Sequence, residues 1–335
     1  MSAASSFLNA PAAVGDTPLL RLARFSAETG CEILGKAEFL NPGGSIKDRA
    51  ALAMLDDAER SGALRPGGLI VEGTAGNTGA ALALFGHPRG YRCRFFVPAS
   101  ICAAKTDRLI ELGAEVVRVP DRPCGHPENF QNLARLAAAS DPSAWWVNQF
   151  DNLANHEAHY RSTAPEIWRQ TDAKLDAVFA AVGSGGTLAG LSRYFAEHAP
   201  AVRVVCADPH GAAMWSWFTH GHLDDVVGES VAEGIGQCRV TANVARARVA
   251  AAHRIPDAEA VSVLHRLRDE EGVFVGLSAA FNVAAALRDA RAGGPGRTLV
   301  AILCDGGARY SATIHDPAWL AARSLPLPAR LATPV

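Results

Sequence analysis

The sequence of 335 residues has little net charge and no long apolar segment. Its formal net charge of −2 gives no excess of positive charge that would indicate nucleic acid or an anionic membrane as a partner. No apolar run approaches the length of roughly 20 residues that a membrane-spanning helix needs. The first residues, MSAASSFLNAPAAVG, lack the basic and continuous apolar regions of a signal peptide, so none is expected. With 49% hydrophobic and 20% charged residues, the composition is typical of a soluble globular protein.

Cysteine is scattered and lacks the patterns of a paired or metal-binding residue. Its seven copies stand at positions 31, 93, 102, 124, 206, 238 and 304, and no C-x-x-C occurs. An odd total without close pairs argues against a disulfide framework and against a cysteine-based zinc site. We therefore expect a reducing, cytoplasmic location and no bound metal.

Two common phosphate-binding templates are also missing. The stretch AAVGSGGTLAG, residues 180–190, has Leu188 where a G-x-G-x-x-G dinucleotide fingerprint requires glycine, and no Gly-Lys-Ser/Thr of a P-loop follows. A glycine-rich turn that opens a helix can still bind an anion through the N–H groups of the first helical turn. From the residues alone, this stretch is either an anion-binding loop or a tight connection with Thr187 as a helix cap.

The sequence does contain a regular alternation of strand-like and helix-like segments. Apolar, β-branched runs occur at 68–73, 92–98, 114–120, 177–183, 202–208 and 298–305. Ala/Leu-rich segments at helical spacing occur at 49–61, 77–86, 103–112, 128–139, 157–169, 187–198, 257–271 and 279–291. The alternation predicts an α/β protein with largely parallel, buried sheets and ligands at the carboxyl ends of the strands. The least helix-like central stretch, WWVNQF at 145–150, predicts a crossing between two domains.

The stretch NPGGSIKDRAALAMLDDAER, residues 41–60, combines turn chemistry with the start of a helix. Ser45 to Asp48 has the S-x-x-D form of a capping box, which predicts that Lys47 lies in the first helical turn. The positive end of the helix dipole disfavours a cation there and favours the neutral amine that forms an imine. A solvated surface lysine is the simpler alternative.

Two further turns between a strand and a helix are rich in small polar residues. VEGTAGNTGAALAL, residues 71–84, can present N–H groups to a carboxylate or phosphate, or Asn77 or Thr78 can be an ordinary helix cap. In EGVFVGLSAAFNVAAAL, residues 271–287, Ser278 is most simply a cap. Two possible anion-binding turns and a lysine at a helix start together favour a ligand site.

These stretches occur in an order that resembles the cysteine synthase, or O-acetylserine sulfhydrylase, family. The matching segments are NPGGSIKDR, EGTAGNTG, NQFDNLANHEAH, APEIW, GSGGTLAG, EGIG and ILCDGGARY, within residues 13–320. With cystathionine β-synthase, this family belongs to the fold-type II pyridoxal-phosphate (PLP) enzymes of the tryptophan synthase β-like superfamily. The resemblance implies an α/β fold of two domains, each with a twisted, mostly parallel sheet flanked by helices.

The resemblance also implies how the domains divide the chain. Residues 41–150 would form a smaller, mobile domain with the loop for the substrate carboxylate. Residues 151–322 would form a larger domain with the loop for the cofactor's phosphate, and residues 1–40 would pack on it. Residues 323–335 would be a Pro-rich tail, extended or disordered.

Roles in the site follow from the resemblance, position by position. Lys47 would hold PLP as a Schiff base and act as general base, Asn77 would hydrogen-bond the cofactor's ring hydroxyl, and Ser278 would face its pyridine nitrogen. The loop for the cofactor's phosphate would consist of Gly183, Ser184, Gly185, Gly186 and Thr187. The substrate's α-carboxylate would be held by Thr74, Ala75, Gly76, Thr78 and Gln149.

The implied reaction is β-replacement on an activated L-serine, with O-acetylserine and sulfide giving L-cysteine and acetate through an aminoacrylate intermediate. The alternatives are another leaving group or nucleophile (O-phosphoserine, cystathionine β-synthase-like chemistry or specialised synthesis of β-substituted alanines) and β-elimination to pyruvate. An alternative of another class is a weakly active homologue that serves as a regulatory binding partner. The family also implies a homodimer and a serine acetyltransferase C-terminal peptide as a partner.

Several positions depart from the family's pattern. Ala279, Ala280 and Phe281 follow Ser278. Gly306 replaces a usual serine, and Ala164 replaces a usual glycine. Ala75 replaces a frequent serine. Of these, Ala280, Phe281 and Gly306 are expected around the cofactor ring, where they would affect the second substrate. Arg239, close to EGIG, would be either a ligand for an anionic leaving group such as phosphate or a surface arginine.

Overall fold

The computed structural model describes residues 11–74, 76–101, 103–123, 126–225 and 228–328, without the side chain of Ala104. These residues form two compact units. The first unit contains residues 11–17 and 41–148, and the second contains residues 18–40 and 149–328. The chain passes from the first unit to the second between Asn148 and Gln149.

Strands and helices alternate through both units. The strands are β1 (Leu19–Arg21), β2 (Glu32–Ala37), β3 (Leu69–Gly73), β4 (Arg92–Pro98), β5 (Glu115–Val119), β6 (Ala144–Trp146), β7 (Ala177–Ala181), β8 (Arg203–Pro209), β9 (Ala251–Ile255) and β10 (Thr298–Leu303). The α-helices are α1 (Ala23–Thr29), α2 (Lys47–Ser61), α3 (Asn77–Gly86), α4 (Ala103–Glu111), α5 (Phe130–Ala139), α6 (Ala154–Ala158), α7 (Ala164–Gln170), α8 (Gly186–His198), α9 (Met214–His220), α10 (Asp257–Asp269), α11 (Leu277–Gly293) and α12 (Pro317–Ala321). A π-helical turn, His159–Thr163, joins α6 to α7.

The first unit is built on a four-stranded parallel sheet in the order β5-β4-β3-β6. All five residues of β3 are buried, as expected for a central strand of a parallel sheet. On one side of it, Leu69, Val71 and Phe96 pack with Ala134 of α5 in a hydrophobic cluster. The segment after β3 therefore leaves a rigid strand at its carboxyl end, where ligands bind in such sheets.

The second unit is built on a six-stranded sheet in the order β1-β2-β10-β7-β8-β9. All neighbouring strands are parallel except β1 and β2, which pair antiparallel. The largest core cluster of this unit packs α10 and α11 against the sheet, and most residues of α11 are buried. The prediction of an α/β fold with two mostly parallel sheets flanked by helices is confirmed.

Several elements differ from the sequence prediction. The six predicted strands are present with ends shifted by at most two residues, but the short strands β1, β6 and β9 and the strand β2 were not predicted. The predicted helix over 157–169 is instead α6, the π-helical turn and α7 in succession. Among the described residues, none of the helices has the length and hydropathy that a membrane crossing requires.

The end of the chain is described as far as residue 328. Leu325 packs against the core of the second unit, and His265 Nε2 donates to the carbonyl of Pro326 at 3.0 Å. Residues 329–335 of the predicted tail lie outside the described residues.

Candidate functional site

The loop at 183–187 follows β7 and leads into the 13-residue helix α8. Gly185 is the N-cap of α8 with φ +93°, a left-handed conformation that favours glycine. A Cβ at Gly185 would lie 2.6 Å from Val244 Cγ2, and one at Gly183 or Gly186 would collide with Gly234 O or Asn155 Oδ1. Because the N-cap is a glycine, it provides no side-chain acceptor for the N–H groups at the start of α8. Thr187 is thus not the cap of this helix.

Side chains from the α6 region support the two hydroxyl groups of the loop. Asn155 Nδ2 donates to Ser184 Oγ at 2.8 Å and to Gln149 O at 2.9 Å, and both side chains are buried. His159, also buried, has Nε2 3.2 Å from Thr187 Oγ1 and Nδ1 2.9 Å from Thr163 Oγ1. Since Ser184 accepts a hydrogen bond from an amide, its own O–H proton can be donated elsewhere. The structure therefore brings Gln149 and the loop at 183–187 together.

The EGIG segment, residues 233–236, and the residues after it hold the loop backbone. The N–H of Gly236 donates to Val182 O at 3.0 Å, and Gln237 Nε2 donates to Gly183 O at 3.1 Å. Thr241 Oγ1 donates to Ser184 O at 2.9 Å. These contacts fix the conformation of the loop.

Lys47 is the first residue of α2, a helix of 15 residues. The capping box predicted here is wrong in detail, because the N-cap is Ile46 and the Asp48 carboxylate accepts from the N–H of Gly43. The Ser45 hydroxyl accepts from the N–H of Lys47 at 3.3 Å. Lys47 is half-buried, whereas a solvated surface lysine would be fully exposed.

The turn after β3 starts α3 in the same way as the loop after β7 starts α8. Gly76 is the N-cap with an extended backbone and no side chain, so neither Asn77 nor Thr78 is the cap. The N–H of Thr74 donates to Phe96 O at 3.0 Å, and the N–H of Gly76 donates to Thr74 Oγ1 at 3.4 Å. The structure therefore collects Thr74, Gly76, Asn77 and Thr78 in one turn. Ala75, also assigned to the carboxylate loop, lies outside the described residues.

Ser278 lies in the first turn of α11, whose N-cap is again a glycine, Gly276. The simplest interpretation of Ser278 as a helix cap is therefore wrong. The N–H of Gly276 donates to Asp305 O at 3.0 Å, and Tyr310 Oη donates to Asp305 Oδ2 at 2.6 Å. Burial and the neighbouring Asp305 carboxylate raise the pKa of Tyr310 well above its usual value, so the phenol remains a donor.

Of the departures from the family's pattern, Ala164, Ala279, Ala280 and Phe281 all lie in the core. Ala280 and Phe281 are 0% exposed members of the main hydrophobic cluster of the second unit, so the expectation that they flank a cofactor ring is wrong. Side chains that line an open binding site would keep some accessible surface. Gly306 differs, because within the described part of the chain a Cβ there would meet only Phe39 Cβ, at 4.0 Å.

Arg239 forms an ion pair with the carboxylate of Asp151. Its guanidinium donates to Asp151 through Nη1 at 3.2 Å and Nη2 at 2.9 Å. Burial opposes ionisation of Asp151, but Arg239 and the N–H of Ala242 hold its pKa below the usual range. Arg239 is therefore a surface arginine, 41% exposed, whose charge is paired with Asp151.

Four residues that support the loop at 183–187 were not predicted from the sequence. Asn155 and His159 lie within the motif NQFDNLANHEAH, whereas Gln237 and Thr241 follow EGIG. Their positions inside or beside the matched motifs were what indicated, in the sequence, that these residues could belong to the site. Their contacts could not be derived from spacing, because each joins the loop across 28 to 57 residues.

Comparison with known proteins identifies the family of this chain. Residues 11–305 match the family of pyridoxal-phosphate dependent enzymes. The chain is 47% identical to cysteine synthase 1 of Neurospora crassa over 93% of this chain and 84% of that one. It is 45% identical to cysteine synthase 1 of Emericella nidulans over 97% and 89% of the two chains. A crystal structure of O-ureido-L-serine synthase superposes with a TM-score of 0.85 at 33% identity, covering 94% and 99%.

Proposed function

The chain belongs to the pyridoxal-phosphate dependent enzyme family, and we propose that it is a cysteine synthase that converts O-acetylserine and sulfide into L-cysteine and acetate. The observation that carries this proposal is the 47% identity to a cysteine synthase along 93% of the chain. At such identity and coverage, the reaction is supported by the whole chain rather than by one motif. We infer the roles of individual residues from their positions and contacts.

The residues present fit PLP. The loop at 183–187 combines three glycines that cannot carry a side chain with the uncapped start of a long helix, which suits a phosphate monoester. Ser184 and Thr187 add two hydroxyl donors beside those N–H groups. Ser278 is a neutral hydroxyl at the start of α11, and it would face the pyridine nitrogen of the cofactor. Bound PLP supplies the electron sink that stabilises negative charge at the substrate's α-carbon.

Lys47 would be the lysine that binds the cofactor and, once released, takes the proton from the substrate's α-carbon. Its place at the positive end of α2 favours the neutral amine that both roles require. Asn77 would donate to the ring hydroxyl of the cofactor. A serine rather than a carboxylate at the pyridine nitrogen limits charge build-up, which favours prompt loss of the β-substituent over transamination.

The turn at 74–78 would bind the substrate's α-carboxylate, together with Gln149. The glycine N-cap of α3 leaves the N–H groups of its first turn to an anion. The hydroxyls of Thr74 and Thr78, both on buried side chains, add donors from fixed positions. Such a turn positions the substrate and leaves the chemistry at the α- and β-carbons to other groups.

The charged residues of the site suit acetate as the leaving group better than phosphate. Binding O-phosphoserine would require a cation for the dianionic phosphate, and Arg239 was the candidate. Its bidentate pair with the ionised Asp151 neutralises that charge. This contact supports O-acetylserine over O-phosphoserine as the activated serine.

Product analysis tests this function. The wild-type holoenzyme should form cysteine from O-acetylserine and sulfide, and should use O-phosphoserine much more slowly. Omitting sulfide, or replacing it with homocysteine, measures the β-elimination and cystathionine-forming alternatives. Lys47→Ala should lose cysteine formation, whereas Lys174→Ala, which changes an exposed lysine, should keep it. Pyruvate or cystathionine as the main product would overturn the proposed reaction.

We also propose a cytoplasmic homodimer that can bind the C-terminal peptide of a serine acetyltransferase, as the family implies. The five cysteines that the structure describes as thiols, at 31, 93, 206, 238 and 304, support a reducing compartment. Sedimentation of the purified protein, with and without such a peptide, tests the assembly.

A further inference from the structure

Three potential metal ligands meet just after α9, a helix that has no role in the proposed cofactor and substrate site. They are His220, His222 and Asp224, and their ligand atoms all lie within 4.8 Å of one another. His222 Nδ1 is 3.1 Å from Asp224 Oδ1, and His220 Nδ1 is 3.5 Å from Asp224 Oδ2. Two imidazole nitrogens therefore converge on the two oxygens of one carboxylate.

The local fold places these residues together. His220 is the last residue of α9, and Gly221 ends the helix with φ +80° while its N–H donates to Trp217 O at 3.0 Å. This glycine cap turns the chain back, so the rings of His220 and His222 have centroids 5.7 Å apart. The spacing H-x-H-x-D thus produces a cluster only because of the turn at Gly221.

Contacts with α9 hold two of the three ligands in place. The N–H of Asp224 donates to Ser216 Oγ at 3.1 Å, and Ser216, which is fully buried, donates to Ala213 O at 2.9 Å. The ring of His220 packs edge-on against Trp215 at 5.0 Å. The Arg254 guanidinium lies 4.1 Å from the centroid of the same Trp215 ring, which fixes the indole. Ligands supported in this way lose little freedom on binding an ion.

The donor set determines the kind of ion. Two imidazoles and one carboxylate suit Zn²⁺, Ni²⁺ or Cu²⁺, whereas Ca²⁺ and Mg²⁺ prefer oxygen ligands throughout. The side chains of His220, His222 and Asp224 are 40%, 67% and 36% exposed, so an ion reaches them from solvent. We propose that His220, His222 and Asp224 form a binding site for a divalent transition-metal ion such as Zn²⁺, with water completing the coordination.

Zinc binding to the holoenzyme tests the proposal. Protein without a histidine tag is dialysed against a chelator and titrated calorimetrically with Zn²⁺ in the absence of amino acids and sulfide. The titration uses a Cys238→Ser background, because Cys238 is an exposed thiol that could also bind zinc. We expect one tight equivalent of Zn²⁺ and a higher Tm in its presence, because the ion binds the folded cluster.

Matched variants assign the binding to the cluster. His222→Ala and Asp224→Asn should each weaken Zn²⁺ binding by about tenfold or more and abolish the rise in Tm. His210→Ala changes an exposed histidine of the same unit outside the cluster, so it should bind Zn²⁺ like the parent. Far-UV circular dichroism and cysteine synthase activity should be unchanged in all three. Zinc affinity that is the same in His222→Ala as in the parent, or no binding by the parent, overturns the proposal and leaves only histidine–carboxylate hydrogen bonds.

Discussion

Three of the four helices that we assign to ligand binding begin with a glycine as the N-cap, and the fourth, α2, begins with Ile46. Gly76, Gly185 and Gly276 precede α3, α8 and α11, whereas α5 and α12 are capped by side chains, those of Asn129 and Asp316. A capping side chain would occupy N–H groups that an anionic ligand could otherwise use. At the residue scale, the absence of a side chain at Gly76, Gly185 and Gly276 would leave these helix ends open to a ligand.

Thr187 provides a test of the phosphate loop that leaves its backbone unchanged. Thr187→Val keeps the branched shape and removes the hydroxyl that we assign to the phosphate. A hydrogen bond to a charged group contributes about 1.5–3 kcal/mol, so the dissociation constant for PLP should rise by about tenfold or more. Equilibrium dialysis of PLP measures this, with Ser262→Ala, an exposed hydroxyl on α10, as the control. Equal affinities in the wild type and Thr187→Val would remove Thr187 from the phosphate site.

The buried carboxyl group of Asp208 should make the free energy of unfolding depend on pH. Burial raises its pKa from 3.8 to about 7, although the N–H of Trp215 donates to its carboxylate at 2.7 Å. Because the folded-state pKa is the higher one, the stabilisation is complete below about pH 4 and is lost as the pH rises through about 7. Asp208→Asn accepts the same hydrogen bond without titrating. It should therefore remove a slope of up to about 1.4 kcal/mol per pH unit from the free energy of unfolding.

Urea unfolding of both proteins across this pH range measures the slope. The two curves should diverge as the pH rises, with the variant becoming relatively more stable. Parallel curves would mean that Asp208 does not retain its proton in the folded protein.

Single-residue assignments in the site depended on matched motifs. The roles predicted for Lys47, Asn77 and the loop at 183–187 rest on their places in contiguous, characteristic stretches. The helix caps could not be predicted, since Asn77, Thr78, Thr187 and Ser278 are all good capping residues and only the backbone geometry shows that a glycine takes that position.

At the scale of secondary structure, α8 and the π-helical turn pack unusually closely at Gly190. A Cβ there would lie 2.5 Å from His156 O and 2.6 Å from His159 Cβ. Helix propensity alone favours alanine over glycine by about 1 kcal/mol, but these neighbours are largely backbone and cannot move aside. Gly190→Ala should therefore lower the free energy of unfolding by about 1–3 kcal/mol, measured by urea unfolding.

The control for this prediction lies on the same helix. Ala196 is exposed on α8, so Ala196→Gly measures the propensity effect without a packing change. It should cost about 1 kcal/mol. A more stable Gly190→Ala would show that the close contact with the π-helical turn is not maintained.

The buried carboxylate of Asp289 connects the start of β8 and the loop before β10 through hydrogen bonds. Asp289 accepts from Arg203 at 2.9 and 3.0 Å and from Arg297 at 2.8 Å. Burial would raise its pKa, but hydrogen bonds from His253, Arg297 and Arg203 hold it well below the usual 3.8. Asp289→Asn should lower the free energy of unfolding at pH 7 by about 1.5–3 kcal/mol, because it weakens the charge-assisted hydrogen bonds between this buried carboxylate and two partly exposed arginines.

The effect of Asp289→Asn should depend on pH in a defined direction. A depressed pKa stabilises the fold above the unfolded value of 3.8, and this stabilisation is lost as the pH falls through the folded value. The difference between wild type and variant should therefore shrink in acid. Asp57→Asn, which removes an exposed pair with Arg60, should cost less than about 1 kcal/mol and serves as the control. An effect as small as that of Asp57→Asn would contradict the assigned network.

Long amphipathic or buried elements were predictable, and short edge elements were not. The strand β10 and the helix α11 show clear runs and periodicity. In contrast, β1 and β6 have three residues each, too few for a period to be recognised. The π-helical turn within 154–170 keeps a helical composition and differs only in its hydrogen bonding.

At the scale of the whole molecule, pairing between distant segments decides which sheet a strand joins. The strand β2 pairs in parallel with β10, and Gly35 lies opposite Ala301 in this register. Residues 18–40 thereby belong to the second unit, while residues 41–148 form most of the first. Local pattern cannot show such a pairing, because both strands are equally compatible with either sheet. The order of the family's motifs was the information that implied the overall fold.

The scarcity of lysine makes the central claim directly testable. The chain has four lysines, at positions 36, 47, 105 and 174. Lys36 is fully buried, with Nζ 2.7 Å from Glu166 Oε2, and Lys174 is exposed on a turn. Only Lys47 stands at the start of a long helix in a motif of the family.

The decisive measurement is peptide mass spectrometry of the PLP-loaded enzyme after reduction with borohydride, which fixes the cofactor to the lysine that holds it. The proposed function predicts a phosphopyridoxyl group on the peptide that contains Lys47 and on no other lysine. The same group on Lys36, Lys105 or Lys174, or an unmodified Lys47 peptide from fully loaded enzyme, would contradict it.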